Sequence, residues 1–151
     1  MMCETYRDTA ALEAAFRATI YRVKTPEACF DLRIGVADSD LDNFLRAQNI
    51  STWGIVTACN PGAVRLSEDK NRRLQAELSE KLRSLGLRFY AACNLDPQAI
   101  WPPEPGNFIL QIDQAGLRRL AEAFSQIAAV WGKVGMPPRL LWKHNKNDRE
   151  A

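Results

Sequence analysis

Six polar residues border the apolar runs of this chain at places where chemistry could be done. Thr57 and Asn60 close one apolar run, Ser67 and Asn71 open a long helical stretch, Glu104 lies among prolines, and Gln126 precedes another apolar run. Glu104, between Pro103 and Pro105 and near Trp101 and Phe108, is the candidate acid–base residue, because an apolar setting raises a carboxyl pKa. The amides suit recognition of a small polar ligand or nucleotide better than covalent catalysis. Each residue also has a plainer reading. Asn60-Pro61-Gly62 is turn chemistry, Ser67 is a helix N-cap with anion binding as the sharper option, and Thr57, Asn71 and Gln126 can simply tie down loops. Glu104 can be a salt-bridge partner, and Trp101, which could stack on a flat ligand, can cover a core edge.

Other chemistries find less support. Cys59 opens a turn after a strand, but no histidine is near it in sequence, and the single histidine, His144, lies in a polar tail. The four cysteines, Cys3, Cys29, Cys59 and Cys93, include no CxxC pair, so no metal site is expected. Cys29, Cys59 and Cys93 fall in or beside apolar runs and read as small reduced hydrophobes. GxxxxGK[ST], GxGxxG and GxSxG are absent, and no cofactor is implied.

The elements that position these residues follow from patterning. With 151 residues, 46% hydrophobic and 25% charged, the chain suits one globular domain, read as residues 1–142 with a disordered polar tail at 143–151. Twenty basic residues against eighteen acidic ones give a net charge of +2, which disfavours nucleic acid or an anionic membrane as partner. The N-terminus lacks the apolar core of a signal peptide and no stretch is long enough to span a bilayer, so the expected location is the cytoplasm.

The fold expected is α+β: a mixed sheet of about five to seven strands, an N-terminal hairpin, a central parallel βαβ unit and about four helices. Residues 9–17 read as a short helix, and 18–24 and 28–34 as a hairpin about Thr25-Pro26-Glu27. A helix capped at Asp38 or Ser39 follows, burying Leu41, Phe44 and Leu45. Residues 53–58 are a continuous apolar run, the pattern of a central strand covered on both faces. Ser67 caps a helix over 68–85 with a stripe of Leu74, Leu78, Leu82 and Leu85, and Gly86 stops it. Strands at 87–93 and 107–112, a helix at 114–124, a strand at 127–131 and an edge strand at 139–142 complete the set.

If 53–58 and 87–93 run in one direction and 107–112 returns against them, all the polar positions meet at one sheet edge. Asn94, Asp96 and Asn107 should emerge there too. On the helix, Asn71 stands three residues before Leu74, so its amide faces that edge and requires a partner.

The same residues carry a resemblance. Thr57-Ala58-Cys59-Asn60-Pro61-Gly62, then Ser67 and Asn71, then Trp101-Pro102-Pro103-Glu104, then Phe124-Ser125-Gln126 with Ala128 resemble a bacterial family catalogued as domain of unknown function, family 3293. The resemblance spans about Tyr21 to Trp142. It implies no activity, but marks Thr57, Asn60, Pro61, Asn71, Glu104 and Gln126 as characteristic positions. The chain departs from the pattern at Cys59, where an aromatic residue is usual, and at Gly106 and Asn107, where a serine is expected. A small-molecule binding protein or enzyme and a non-enzymatic interaction module with an unknown protein partner are the two functional expectations.

Overall fold

A computed structural model describes Thr9–Lys143. The expected disordered tail, apart from Lys143, and His144 lie outside the described residues, as does Cys3.

Among the described residues, four α-helices, α1 (Thr9–Ala18), α2 (Ser39–Arg46), α3 (Glu68–Ser84) and α4 (Gln114–Ala123), accompany seven strands. The strands are β1 (Ile20–Lys24), β2 (Cys29–Leu32), β3 (Thr52–Val56), β4 (Phe89–Leu95), β5 (Glu104–Leu110), β6 (Ala128–Lys133) and β7 (Arg139–Trp142). Local chemistry fixes the helix ends. Asp38, Ser67 and Asp113 cap α2, α3 and α4 by accepting the backbone N–H groups of Leu41, Lys70 and Gly116. After α3, Gly86 takes a left-handed φ of +71° and turns the chain toward β4.

The strands form one sheet in the order β2-β1-β4-β5-β3-β6-β7, and every neighbouring pair is antiparallel. The N-terminal hairpin is present as β1–β2. The parallel βαβ unit is not, and the sheet is not mixed. β3 and β4 do share a direction, but β5 lies between them, antiparallel to both. The β-α-β-β-α-β run from β3 to β6 is thus a split βαβ arrangement with both crossovers spanning an inserted strand. The continuous apolar run of β3 was misleading because it reports burial on both faces, which an antiparallel strand between two layers also has.

Register assigns the faces. Tyr21, Val23, Phe30 and Leu32 join Trp53, Ile55, Phe108, Leu110 and Val130 on one side, packed with Leu41 and Leu45 of α2. Val56, Ile109 and Ala129 project to the other, against Leu78 and Leu82 of α3 and Leu117, Leu120 and Ala121 of α4. Trp53 and Phe108 stack in the first layer with ring centroids 5.0 Å apart. Beside them Gly132 pairs with Trp53 and leaves its ring the space that a Cβ would fill. The Gly35 N–H donates to the Pro138 carbonyl at 2.8 Å, so the segments after β2 and before β7 meet and the sheet curls.

Some buried positions differ from expectation. Leu85 is exposed rather than part of the α3 stripe, and Phe44 is only half-buried. Cys29 is exposed on the edge strand, so it does not act as a core hydrophobe there. The β4–β5 hairpin extends further than its apolar pattern, because Asn94 and Glu104 are paired within the ladder.

Candidate functional site

The centre of the site is Asn60. Beyond β3 the chain turns sharply, and Asn60 holds φ +50°, ψ +58°, a left-handed conformation that asparagine tolerates better than most residues. Its side chain makes three hydrogen bonds. Nδ2 donates to Glu104 Oε2 at 2.6 Å, and Oδ1 accepts from Leu66 N–H at 2.8 Å and from Asn71 Nδ2 at 2.9 Å. Its backbone N–H donates to Asn71 Oδ1 at 2.8 Å. Asn60 and Asn71 therefore hold each other reciprocally, as the inward position of Asn71 on α3 required.

The neighbours reinforce this turn. Thr57 Oγ1 donates to the Pro105 carbonyl at 2.7 Å and accepts from Cys59 N–H at 3.0 Å. Gln126 Nε2 donates to the carbonyls of Cys59 at 3.1 Å and Phe124 at 3.3 Å. On the α3 side, Gln75 accepts from Ala58 N–H and donates to Asn107, whose amide reaches Ser79. Thr57, Asn60, Asn71, Glu104 and Gln126 thus come together as the chain directions require. Ser67 caps α3 at the border and lines neither neighbouring cavity. The sequence reading missed Gln75, whose signal was its position one turn after Asn71 on the same helix face.

Two hollows flank the Asn60–Glu104 pair, which lines both. One, of about 580 Å³, lies toward the start of α3, with Arg65, Glu68 and Arg72. The other, of about 440 Å³, is bounded by α1, by strand ends and by the 96–103 loop. Its apolar wall includes Leu12, Phe16, Ile55, Ile100, Trp101 and Val130. Across its sheet wall, Tyr21, Asn94 and Glu104 form one row, because Tyr21 pairs with Asn94 and Asn94 with Glu104. Asn94 was expected beyond the strand end, but it is a ladder residue, and its Oδ1 is buried with no hydrogen-bond partner among the described residues. Asp96 accepts the N–H groups of Gln98, Ile100 and Trp101 and so shapes the loop.

Burial raises the Glu104 carboxyl pKa above its ordinary value, with the Asn60 amide partly opposing the rise. Burial also pushes up the Tyr21 hydroxyl, which donates to the Phe16 carbonyl at 3.1 Å. The Cys59 thiol is raised for the same reason, which is the wrong direction for a nucleophile. Among the described residues no three His, Cys, Asp or Glu side chains gather as a metal would require, and no helix is long and apolar enough to cross a membrane.

The described residues form an antiparallel α+β fold whose split βαβ core gathers buried amides around one carboxyl group. Within it, residues 56–129 match the family model described as Protein of unknown function (DUF3293). The match begins at the end of β3 and closes in β6, so it encloses the whole cluster and leaves out the β1–β2 hairpin and β7. No curated protein and no solved structure matches the chain.

Proposed function

We propose that the protein binds a small molecule in the 440 Å³ cavity, with the Glu104 carboxyl as its polar anchor. The observation that carries this is a pKa-raised carboxyl group in the wall of a largely apolar hollow of ligand size. Asn60, Asn71 and Gln126 are committed to internal hydrogen bonds, which supports a role in holding the walls rather than touching ligand. Thr57 likewise positions Pro105 and Cys59. Within this reading, Glu104 is protonated over a wider pH range than an exposed carboxyl, which suits hydrogen-bond donation or general acid chemistry. A nucleotide is a poorer fit, because no lysine, arginine or histidine among the described residues lines this cavity to meet a phosphate.

The internal hydrogen bonds of these amides also favour a second reading, a non-enzymatic interaction module in which the cluster only ties loops. A thermal-shift screen against a metabolite library separates the two. The expected result is at least one compound that raises the melting temperature of wild type and not of Glu104→Gln. A library without hits, together with a partner retained by both proteins, would favour the module. A bacterial source and a cytoplasmic location belong to the same proposal, supported by the family resemblance and by the unpaired thiols of Cys29, Cys59 and Cys93.

A further inference from the structure

We infer that the cavity takes an organic cation, an ammonium or amidinium head on a compact apolar body, with the head on Glu104. This rests on the ligand-binding reading above and names the class of ligand. Among the described residues, Asp96 and Glu104 are the two acids lining the cavity, and no basic side chain lines it. The Asp96 carboxylate is engaged by three loop N–H groups. Glu104 has a single neutral donor, Asn60, and no ion pair joins it to a described residue. The basic residues of the other hollow do not supply one, since Arg72 pairs with Glu68 and Asp69 and Arg65 lines only that hollow.

A buried carboxylate without a counter-charge either takes a proton or requires a cation. A ligand that brings the positive charge replaces that proton. Trp101, Phe16, Ile55 and Ile100 offer the apolar contact for the body. Other titrating groups around Glu104 stay out of the way. Burial raises Tyr21, Cys59 and Cys93, and Asp96 is held low. Glu68, Arg65 and Arg72 lie on the second hollow.

The test is a matched series titrated by calorimetry or ligand-observed NMR: 2-phenylethylamine and benzamidine against 2-phenylethanol and phenylacetate. The cations should bind with Kd at or below about 1 mM, roughly tenfold or more tighter than the alcohol, and phenylacetate should not bind. Glu104→Gln should lose on the order of tenfold in cation affinity and leave the alcohol unchanged. In wild type, cation affinity should rise with pH, approaching about tenfold per unit below the Glu104 pKa, as the competing proton leaves. If Glu104→Gln does not fold by circular dichroism, the charge series and the pH dependence of wild type decide alone. Equal binding of alcohol or acid and amine would overturn the cation inference while leaving the cavity a ligand site. Failure of every probe at about 10 mM also overturns it, and the broader library screen then judges the ligand reading separately.

Discussion

Replacing Asn60 by alanine should cost far more than a turn residue usually does. Alanine removes the donor to Glu104 and the shared acceptor of Leu66 N–H and Asn71 Nδ2, three side-chain hydrogen bonds at one buried position. At about 1 kcal/mol each, with donors left unpaired in a closed space, the loss is about 3 kcal/mol. Backbone conformation adds to it, because alanine at φ +50° is strained by about 1 kcal/mol relative to glycine. Asn60→Ala should therefore be destabilised by about 4 kcal/mol and Asn60→Gly by about 3 kcal/mol. Asn71→Ala breaks the reciprocal pair from the other side, so the double mutant should show a coupling of about 1 kcal/mol. Urea unfolding followed by far-ultraviolet circular dichroism compares the four variants with wild type, provided the m-value is unchanged. A cost below about 1 kcal/mol for Asn60→Ala, or strict additivity with Asn71→Ala, would show that the cluster does not hold the fold in this way.

Two further outcomes follow from the same geometry. The Glu104 pKa is raised in the folded state above its ordinary 4.5, so the native protein keeps a proton that the unfolded chain has released. This group's contribution to stability is therefore largest below the unfolded pKa. It declines by up to about 1.4 kcal/mol per pH unit as pH climbs through the window up to the folded pKa. The stability difference between wild type and Glu104→Gln, from urea unfolding at stepped pH, should follow that decline. A flat difference, or one growing in favour of wild type with pH, contradicts the burial argument. In the core, Gly132→Ala places a methyl group into the Trp53 ring, a rigid obstacle, and should cost about 2–3 kcal/mol. Gly54→Ala meets the movable ends of Leu117 and should cost less, so equal melting temperatures for the two variants would refute the close-packing account.

Much of this arrangement was legible because local chemistry and chain direction dictate it. Ser67 and Gly86 bracket α3, Thr25-Pro26-Glu27 turns the first hairpin, and Asn71 declares its face by its distance from Leu74. The placement of Glu104 near Asn60 needed only that β3 and β4 run one way and β5 the other, and that is so. What patterning could not supply is which strand neighbours which. Trp53-Gly54-Ile55-Val56 and Asn107-Phe108-Ile109-Leu110 are both apolar on both faces, and neither pattern names its hydrogen-bonding partner. The cavity row was hidden for a related reason. Tyr21, Asn94 and Glu104 are 73 and 10 residues apart in turn, and only the strand register makes them neighbours. The close fit of Gly132 to Trp53 is likewise a matter of register.

The insertion of β5 between β3 and β4 also bears on how the chain reaches this state. Synthesis delivers Asn60 first and Glu104 44 positions later. Until the second arm of the β4–β5 hairpin arrives, β3 and β4 each present an unsatisfied edge toward the gap it will fill. Such gaps close through contacts distant in sequence, which slows folding and leaves the nascent chain open to pairing with strangers.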